Sequence, residues 1–135
     1  MRCPMAKIVG TGMIARVFQS AGVAPGVTIF ASGVSNSAAC DQAQFERETR
    51  LLKDALAISN GPLVYFSTTS IYDPASQHSP YVRHKLLMER LLVESGQTYV
   101  VLRLPQVVGL ASNPATLTEY LYRSIMSGMP FEVWR

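Results

Sequence analysis

The chain has 135 residues and a mass of 14.8 kDa, the size of one domain at ~100–200 residues each. Hydrophobic residues make up 48% and charged residues 16%, which excludes a chain too polar to bury a core, and no apolar run nears the ~20 residues of a membrane span. The net charge of +3 favours anionic small molecules mildly, but the Lys and Arg are scattered and not interleaved with aromatics, which argues against nucleic acid as a partner.

Short apolar runs alternate with longer amphipathic stretches, the pattern of an α/β chain with a parallel sheet. Ala6–Val9 reads as a first strand ending at Gly10. Met13 to Ala21 reads as a helix with Ile14, Val17 and Phe18 on one face and Gly22 as its stop. Pro25-Gly26 is a turn, and Val27–Ala31 a second, buried strand. Asp41 to Ile58 reads as a long helix with Phe45, Leu52, Ala55 and Leu56 as its apolar stripe. Glu46, Arg47, Arg50, Lys53 and Asp54 are placed toward solvent.

Leu63–Phe66 is a third strand leading into the hydroxyl cluster Ser67-Thr68-Thr69-Ser70, with a polar loop over 71–79. Ser79-Pro80 starts a helix, serine as N-cap and proline at the first helical position. That helix runs to about Glu94, and Gly96 closes it. Tyr99–Leu102 is a fourth strand, followed by a loop with Pro105, Gly109 and Asn113-Pro114. A last helix spans about Leu117 to Met126 up to Gly128, and Phe131–Trp134 reads as the opening of another strand. A strand that opens as the sequence stops suggests a fragment.

Gly10-Thr11-Gly12-Met13-Ile14-Ala15 fits G-x-G-x-x-A between a strand and a helix. Gly10 permits the tight turn, Gly12 lets a pyrophosphate approach the backbone, and Ala15 allows close helix–strand packing. A plain tight turn would use the same residues. Dinucleotide folds place an acidic residue ~20 positions past the glycines to hold the adenosine ribose. Here Thr28 to Ala31 fall at that distance, with no Asp or Glu among them. The second and third strands of a full nucleotide-binding half are missing from the pattern.

Tyr81-Val82-Arg83-His84-Lys85 sets a phenol and an ammonium four residues apart, on one helix face with about 5–6 Å between Cβ atoms. A nearby ammonium favours the phenolate and lowers a tyrosine pKa from ~10, the tuning an acid/base group needs near neutrality. The same spacing also occurs on helices that do no chemistry. The upstream hydroxyls stand at the carboxyl end of a strand, where open α/β sheets bind ligands. There a hydroxyl can bond a substrate oxygen while tyrosine moves the proton.

These residues together resemble the extended short-chain dehydrogenase/reductase superfamily, in its NAD-dependent epimerase/dehydratase group. The likeness runs through Gly10–Ala15, Phe30-Ala31-Ser32, Phe66-Ser67-Thr68-Thr69-Ser70-Ile71-Tyr72, Ser79-Pro80-Tyr81 with Lys85, and Leu102-Arg103-Leu104-Pro105 leading to Gly109. It implies a Rossmann-like parallel sheet of four strands flanked by helices and lacking the usual second and third strands. It implies an NAD or NADP cofactor and hydride transfer on a nucleotide sugar, by an epimerase/dehydratase or a reductase. Tyr81 would be the acid/base. Lys85 would lower the Tyr81 pKa and hold the nicotinamide ribose, and Thr68 takes the place of the catalytic Ser or Thr. Gly10, Gly12, Met13 and Ile14 would lie at the pyrophosphate, Ala31 and Ser32 beside the cofactor, and Pro105 near the nicotinamide. Thr69 and Gln106 would contact substrate.

The resemblance makes residues 1–135 one NAD(P)-binding domain cut short at its C-terminus, cytoplasmic, away from membranes, and able to form a homodimer through the helices at 41–58 and 80–94. The sequence departs from the family at Val9 and Ala15, where the usual pattern has glycines, and at Phe45 and Glu48, where relatives often show Asn and Gly. The alternative is a catalytically degenerate Rossmann-like module that binds a nucleotide or a partner.

His78 and His84 have no metal-spaced partners and read as exposed or hydrogen-bonded residues, so no metal site is assigned. Cys3 and Cys40 read as free thiols. Leu86, Leu87, Leu91 and Leu92 read as helix core, with Met88 forming no stripe, and Arg16 as a solvated residue rather than an NADP selector.

Overall fold

A computed structural model describes residues 5–107 and 117–130. It divides into two compact units, Met1–Pro105 and Gln106–Arg135. The first holds β1 (Lys7–Val9), α1 (Met13–Ala21), β2 (Thr28–Phe30), α2 (Gln42–Ile58), β3 (Leu63–Thr68), a 3-10 helix (Thr69–Tyr72), α3 (Pro80–Glu94) and β4 (Tyr99–Leu104). The second holds α4 (Leu117–Ser127), on which Arg123 and Glu119 pair at 2.7 Å. The expected loop residues Gly109, Asn113 and Pro114, the strand at 131–134 and Cys3 lie outside the described residues.

The helix ends follow local chemistry. Asp41 N-caps α2 by accepting the Ala43 amide at 2.9 Å. Ser79 caps α3 by accepting the Val82 amide at 3.2 Å, with Pro80 in the first turn. Gly22 ends α1 at φ 82°, a backbone angle open to glycine. Among the described residues no helix is long and apolar enough to cross a membrane.

The four strands pair in chain order, β1-β2-β3-β4, every pair parallel. β3 and β4 each run two residues further than the sequence reading, so Ser67 and Thr68 are strand residues and the 3-10 helix starts inside the hydroxyl cluster. Thr68 stands opposite Leu104, which puts Pro105 just past the same carboxyl edge.

One sheet face carries Phe30, Leu63 and Tyr65 against Leu52, Ala55 and Leu56 of α2 and Met88 and Leu92 of α3. The opposite face takes α1, whose Phe18 ring lies 5.8 Å from Phe66, the strand neighbour that points away from Tyr65. All three crossovers step the same way across the sheet, so β1–α1–β2 has the opposite hand to β2–α2–β3 and β3–α3–β4. Crossovers of one sheet share a right hand in about 98% of cases.

Three expected core positions differ. Val17 is 59% exposed, and Leu86 and Leu87 are 43% and 45% exposed, while Met88 is fully buried. The buried stripe of α3 runs Tyr81, Lys85, Met88, Leu92, spaced three and four apart. At 3.6 residues per turn that spacing rotates Leu86 and Leu87 outward.

Candidate active site

The glycine turn joins β1 to α1. Gly10 has φ 130°, and a Cβ there would collide with the Ala31 carbonyl, because the ends of β1 and β2 touch. The Ala31 amide donates to the Val9 carbonyl at 2.7 Å. Gly12 is the N-cap of α1 with ordinary backbone angles, and a Cβ added there would meet nothing within 4 Å. Open space above a helix's first turn, where amide hydrogens lack partners, suits a phosphate. Met13 and Ile14 are half-buried in that turn, and Ala15 is fully buried. Just past β2, Ser32 is tied to α2: Arg47 donates to its hydroxyl at 3.2 Å and its carbonyl at 3.1 Å. Arg47 is exposed, as the sequence reading has it, but it reaches back over this edge.

α3 brings Tyr81 and Lys85 to one side of β3. Both are buried, and the Lys85 ammonium lies 5.8 Å from the Tyr81 ring centroid. Thr68 lies beside the Tyr81 phenol at the end of β3 and favours its ionised form. The Thr68 hydroxyl also caps the 3-10 helix, donating to Ser70 Oγ at 3.0 Å and accepting the Ser70 amide at 3.1 Å. Thr69, half-buried, opens that helix. Ser67 points elsewhere and donates to Glu89 Oε1 at 2.6 Å. Arg103 grips the same carboxylate and the Tyr72 hydroxyl, binding β4, α3 and the 3-10 helix together. Pro105 is exposed at the carboxyl edge; Gln106 opens the second unit and is exposed.

Glu48, which the sequence reading noted only as a departure from the family and gave no role, is the centre of the buried cluster. Its carboxylate is fully buried and takes four donors. Oε1 accepts from the Tyr65 hydroxyl at 2.7 Å and from Lys85 Nζ at 3.0 Å. Oε2 accepts from the Val34 amide at 2.8 Å and from His84 Nε2 at 2.9 Å. Lys85 also donates to the Tyr65 hydroxyl at 3.2 Å. His84, buried and hydrogen-bonded, stacks on Phe45 with ring centroids 4.5 Å apart. A signal for Glu48 existed: it sits three positions after Phe45 and four before Leu52, on the apolar stripe of α2, where an unpaired charge is costly.

The electrostatics follow from this pairing. Burial would raise the Glu48 pKa, but the bonds from His84, Lys85, Val34 and Tyr65 outweigh it and hold the carboxyl at about 2. Burial lowers the Lys85 pKa, and Glu48 opposes that. Burial raises the Tyr81 phenol above its ordinary value against the pull of Thr68, and the Glu48 charge adds to the rise. The net direction for Tyr81 is upward, with burial as its largest cause, where the sequence reading expected a lowering by Lys85. The ammonium's charge is matched by a carboxylate 3.0 Å away, so the phenol faces an ion pair instead of a free cation.

A parallel α/β sheet with a glycine turn after its first strand and a Tyr-x-x-x-Lys helix at its carboxyl edge is the architecture of a Rossmann-type, nicotinamide-dependent protein. The chain belongs to the NAD dependent epimerase/dehydratase family, whose model matches residues 14–135. No curated protein and no solved structure matches it. Membership brings a nicotinamide cofactor and a small-molecule substrate in general terms. The residues fit such a cofactor at the open backbone around Gly12. At the adenosine end β2 offers no carboxylate, and Arg47 already occupies Ser32.

Proposed function

We propose that the chain is an NAD(P)-dependent epimerase/dehydratase or reductase acting on a nucleotide sugar in the cytoplasm, with Tyr81 as its acid/base group. The observation that carries the reading is the convergence of Tyr81, Lys85 and Thr68 at the carboxyl end of β3. When bound, the nicotinamide supplies or takes the hydride. Gly10 and Gly12 shape the turn for the pyrophosphate, with Met13 and Ile14 in the first turn beside it. Ala31 and Ser32 border the cofactor, Lys85 holds its ribose, and Pro105 lies near its nicotinamide end. Tyr81 passes the proton to or from the substrate oxygen, Thr68 bonds that oxygen, and Thr69 holds the substrate. A homodimer through α2 and α3 belongs to the proposal, supported by the open groove that Phe45, Thr49, Arg83 and Leu87 line between them.

A second reading, a degenerate Rossmann-like module that no longer turns over substrate, draws on one specific observation: Lys85 is already engaged by Glu48. Titration with NADH and NADPH, followed by nicotinamide fluorescence, tests both readings. Saturable binding to the wild-type chain that is lost in Gly12→Val supports the cofactor site, since that side chain would fill the open space over α1. Turnover that vanishes in Tyr81→Phe while binding persists supports the enzyme. Absence of binding to either nucleotide rejects the cofactor reading; binding without turnover on any sugar nucleotide favours the module.

A further inference from the structure

We propose that Ser32, Gly33 and Val34 form a strap, pinned by the adjacent α2 residues Arg47 and Glu48, that covers the Lys85 ammonium in the ligand-free chain and has to lift before Lys85 can hold a ligand. The role of Lys85 toward a nicotinamide ribose rests on the reading proposed above. The cover itself is a property of the chain alone.

The ammonium meets almost no solvent, and Lys85 is 2% exposed. Nζ donates to Glu48 Oε1 at 3.0 Å and to the Tyr65 hydroxyl at 3.2 Å. The Tyr65 and Tyr81 ring centroids lie 5.2 and 5.8 Å from it. The strap passes over what is left. A Cβ built at Gly33 would stand 2.7 Å from Lys85 Nζ and 3.0 Å from Glu48 Oε1. Glycine has no side chain to wedge there, so the strap backbone lies directly on the ion pair.

Consecutive residues of a helix point about 100° apart, so α2 grips the strap once at the surface and once in the core. On the outer side, exposed Arg47 donates to the Ser32 hydroxyl at 3.2 Å and to the Ser32 carbonyl at 3.1 Å. On the inner side, the Val34 amide donates to Glu48 Oε2 at 2.8 Å. The Val34 side chain is buried in a cluster with Ala39, Phe45, Tyr81 and Val82. Glu48 thus holds the ammonium with one carboxylate oxygen and its cover with the other. The inner pin joins a buried carboxylate to a packed side chain, whereas the outer one is a pair of exposed hydrogen bonds, each weak in net terms. The strap therefore lifts from Ser32 first.

Ser32 lies just past the carboxyl end of β2, so the outer pin stands at the edge of the sheet that a ligand would reach. A ligand that bonds Ser32 competes with Arg47 and loosens the strap as it arrives. A protein whose competent form is only partly populated shows an apparent affinity reduced by that fraction. Weakening the outer pin therefore uncovers Lys85 and tightens ligand binding together, the reverse of what losing a ligand contact does.

The test reads Lys85 directly, by brief acetic anhydride labelling of the native ligand-free protein, scored lysine by lysine by mass spectrometry. The chain has three lysines, and Lys7 and Lys53, both exposed, are the references. Wild-type Lys85 should label far more slowly than either, and equal labelling overturns the proposal. Arg47→Met keeps the stem and removes the outer pin. It should raise Lys85 labelling, and hydrogen exchange at the Val34 amide, about three- to tenfold, with the Met88 and Leu92 amides unchanged. Unchanged Lys85 labelling overturns the proposal. So does a rise matched at the Met88 and Leu92 amides, which reports loosening of the whole fold. Should that variant fail to fold, Ser32→Ala takes its place; it leaves the carbonyl bond and should give a smaller rise, and an unchanged Lys85 there overturns the proposal equally. Arg47→Met should also lower the NADH or NADPH dissociation constant by the same factor, and unchanged or weaker binding overturns the link to the ligand. Absence of binding to either nucleotide rejects the cofactor reading and leaves the labelling to decide the strap.

Discussion

Glu48 and Lys85, 37 positions apart in the chain, meet at 3.0 Å with neither side chain reaching solvent. Burying two charges is expensive, and their attraction repays it only when the remaining hydrogen-bond capacity is filled. Glu48 meets that condition with four donors on its two oxygens. The cluster ties α2, α3, β3 and the loop after β2 to one carboxylate, which makes it a stability centre as well as part of the site.

Breaking the pair from one side should be far worse than removing both partners. Lys85→Ala strands a buried carboxylate and should cost about 3–5 kcal/mol. The double change Glu48→Leu with Lys85→Met leaves no charge behind and should cost less than Lys85→Ala alone. Urea unfolding of the single and double variants measures the coupling as a double-mutant cycle, and strictly additive costs would contradict the paired arrangement.

Acid should weaken the fold through the same carboxylate. The Glu48 carboxyl is held at about 2 against an ordinary 4.5, burial pushing it up and its four hydrogen-bond donors pulling it down further. A depressed folded value means that the contribution is complete above the unfolded value and is lost as pH falls toward the folded one. Glu89, lowered by its bonds to Arg103 and Ser67 against burial, acts in the same sense. The urea midpoint should therefore fall as pH drops from about 4.5 to about 2, and Glu48→Gln should flatten much of that slope.

The two glycines of the turn should separate stability from binding. Gly10→Ala forces a side chain into φ 130° and against the Ala31 carbonyl, a strain on the order of 1–3 kcal/mol or more. Gly12→Ala meets open space at ordinary backbone angles and should change stability by less than about 1 kcal/mol. Thermal melting ranks the two, and nicotinamide fluorescence should show weakened binding in Gly12→Ala despite its intact fold.

Met88 is a core residue of α3, fully buried and packed with residues of α2 and the sheet. Met88→Ala should cost about 2–5 kcal/mol by opening a cavity. Leu86→Ala, at a position 43% exposed, should stay within about 0.5 kcal/mol. Equal losses in urea unfolding would mean that α3 is rotated from the stripe described above.

What the residues determine locally was legible without a structure. Ser79-Pro80, Gly22 and Asp41 act within a few bonds of themselves, so the helix ends fall where they read. The apolar alternation specified four strands and their order along the chain, and Tyr81, Lys85 and the glycine turn stood out by spacing and context. The tertiary structure alone decided what depends on distant segments meeting. Strand neighbours and the opposite hand of the β1–α1–β2 crossover follow from which face each helix packs on, and no local pattern carries that. Leu86 and Leu87, expected in the core, face outward because packing against α2 sets the rotation of α3. The Tyr81 phenol is raised chiefly by its burial, and Lys85 finds its partner in Glu48, a carboxylate 37 positions away in sequence, because both burial and pairing depend on segments that meet only in the folded chain.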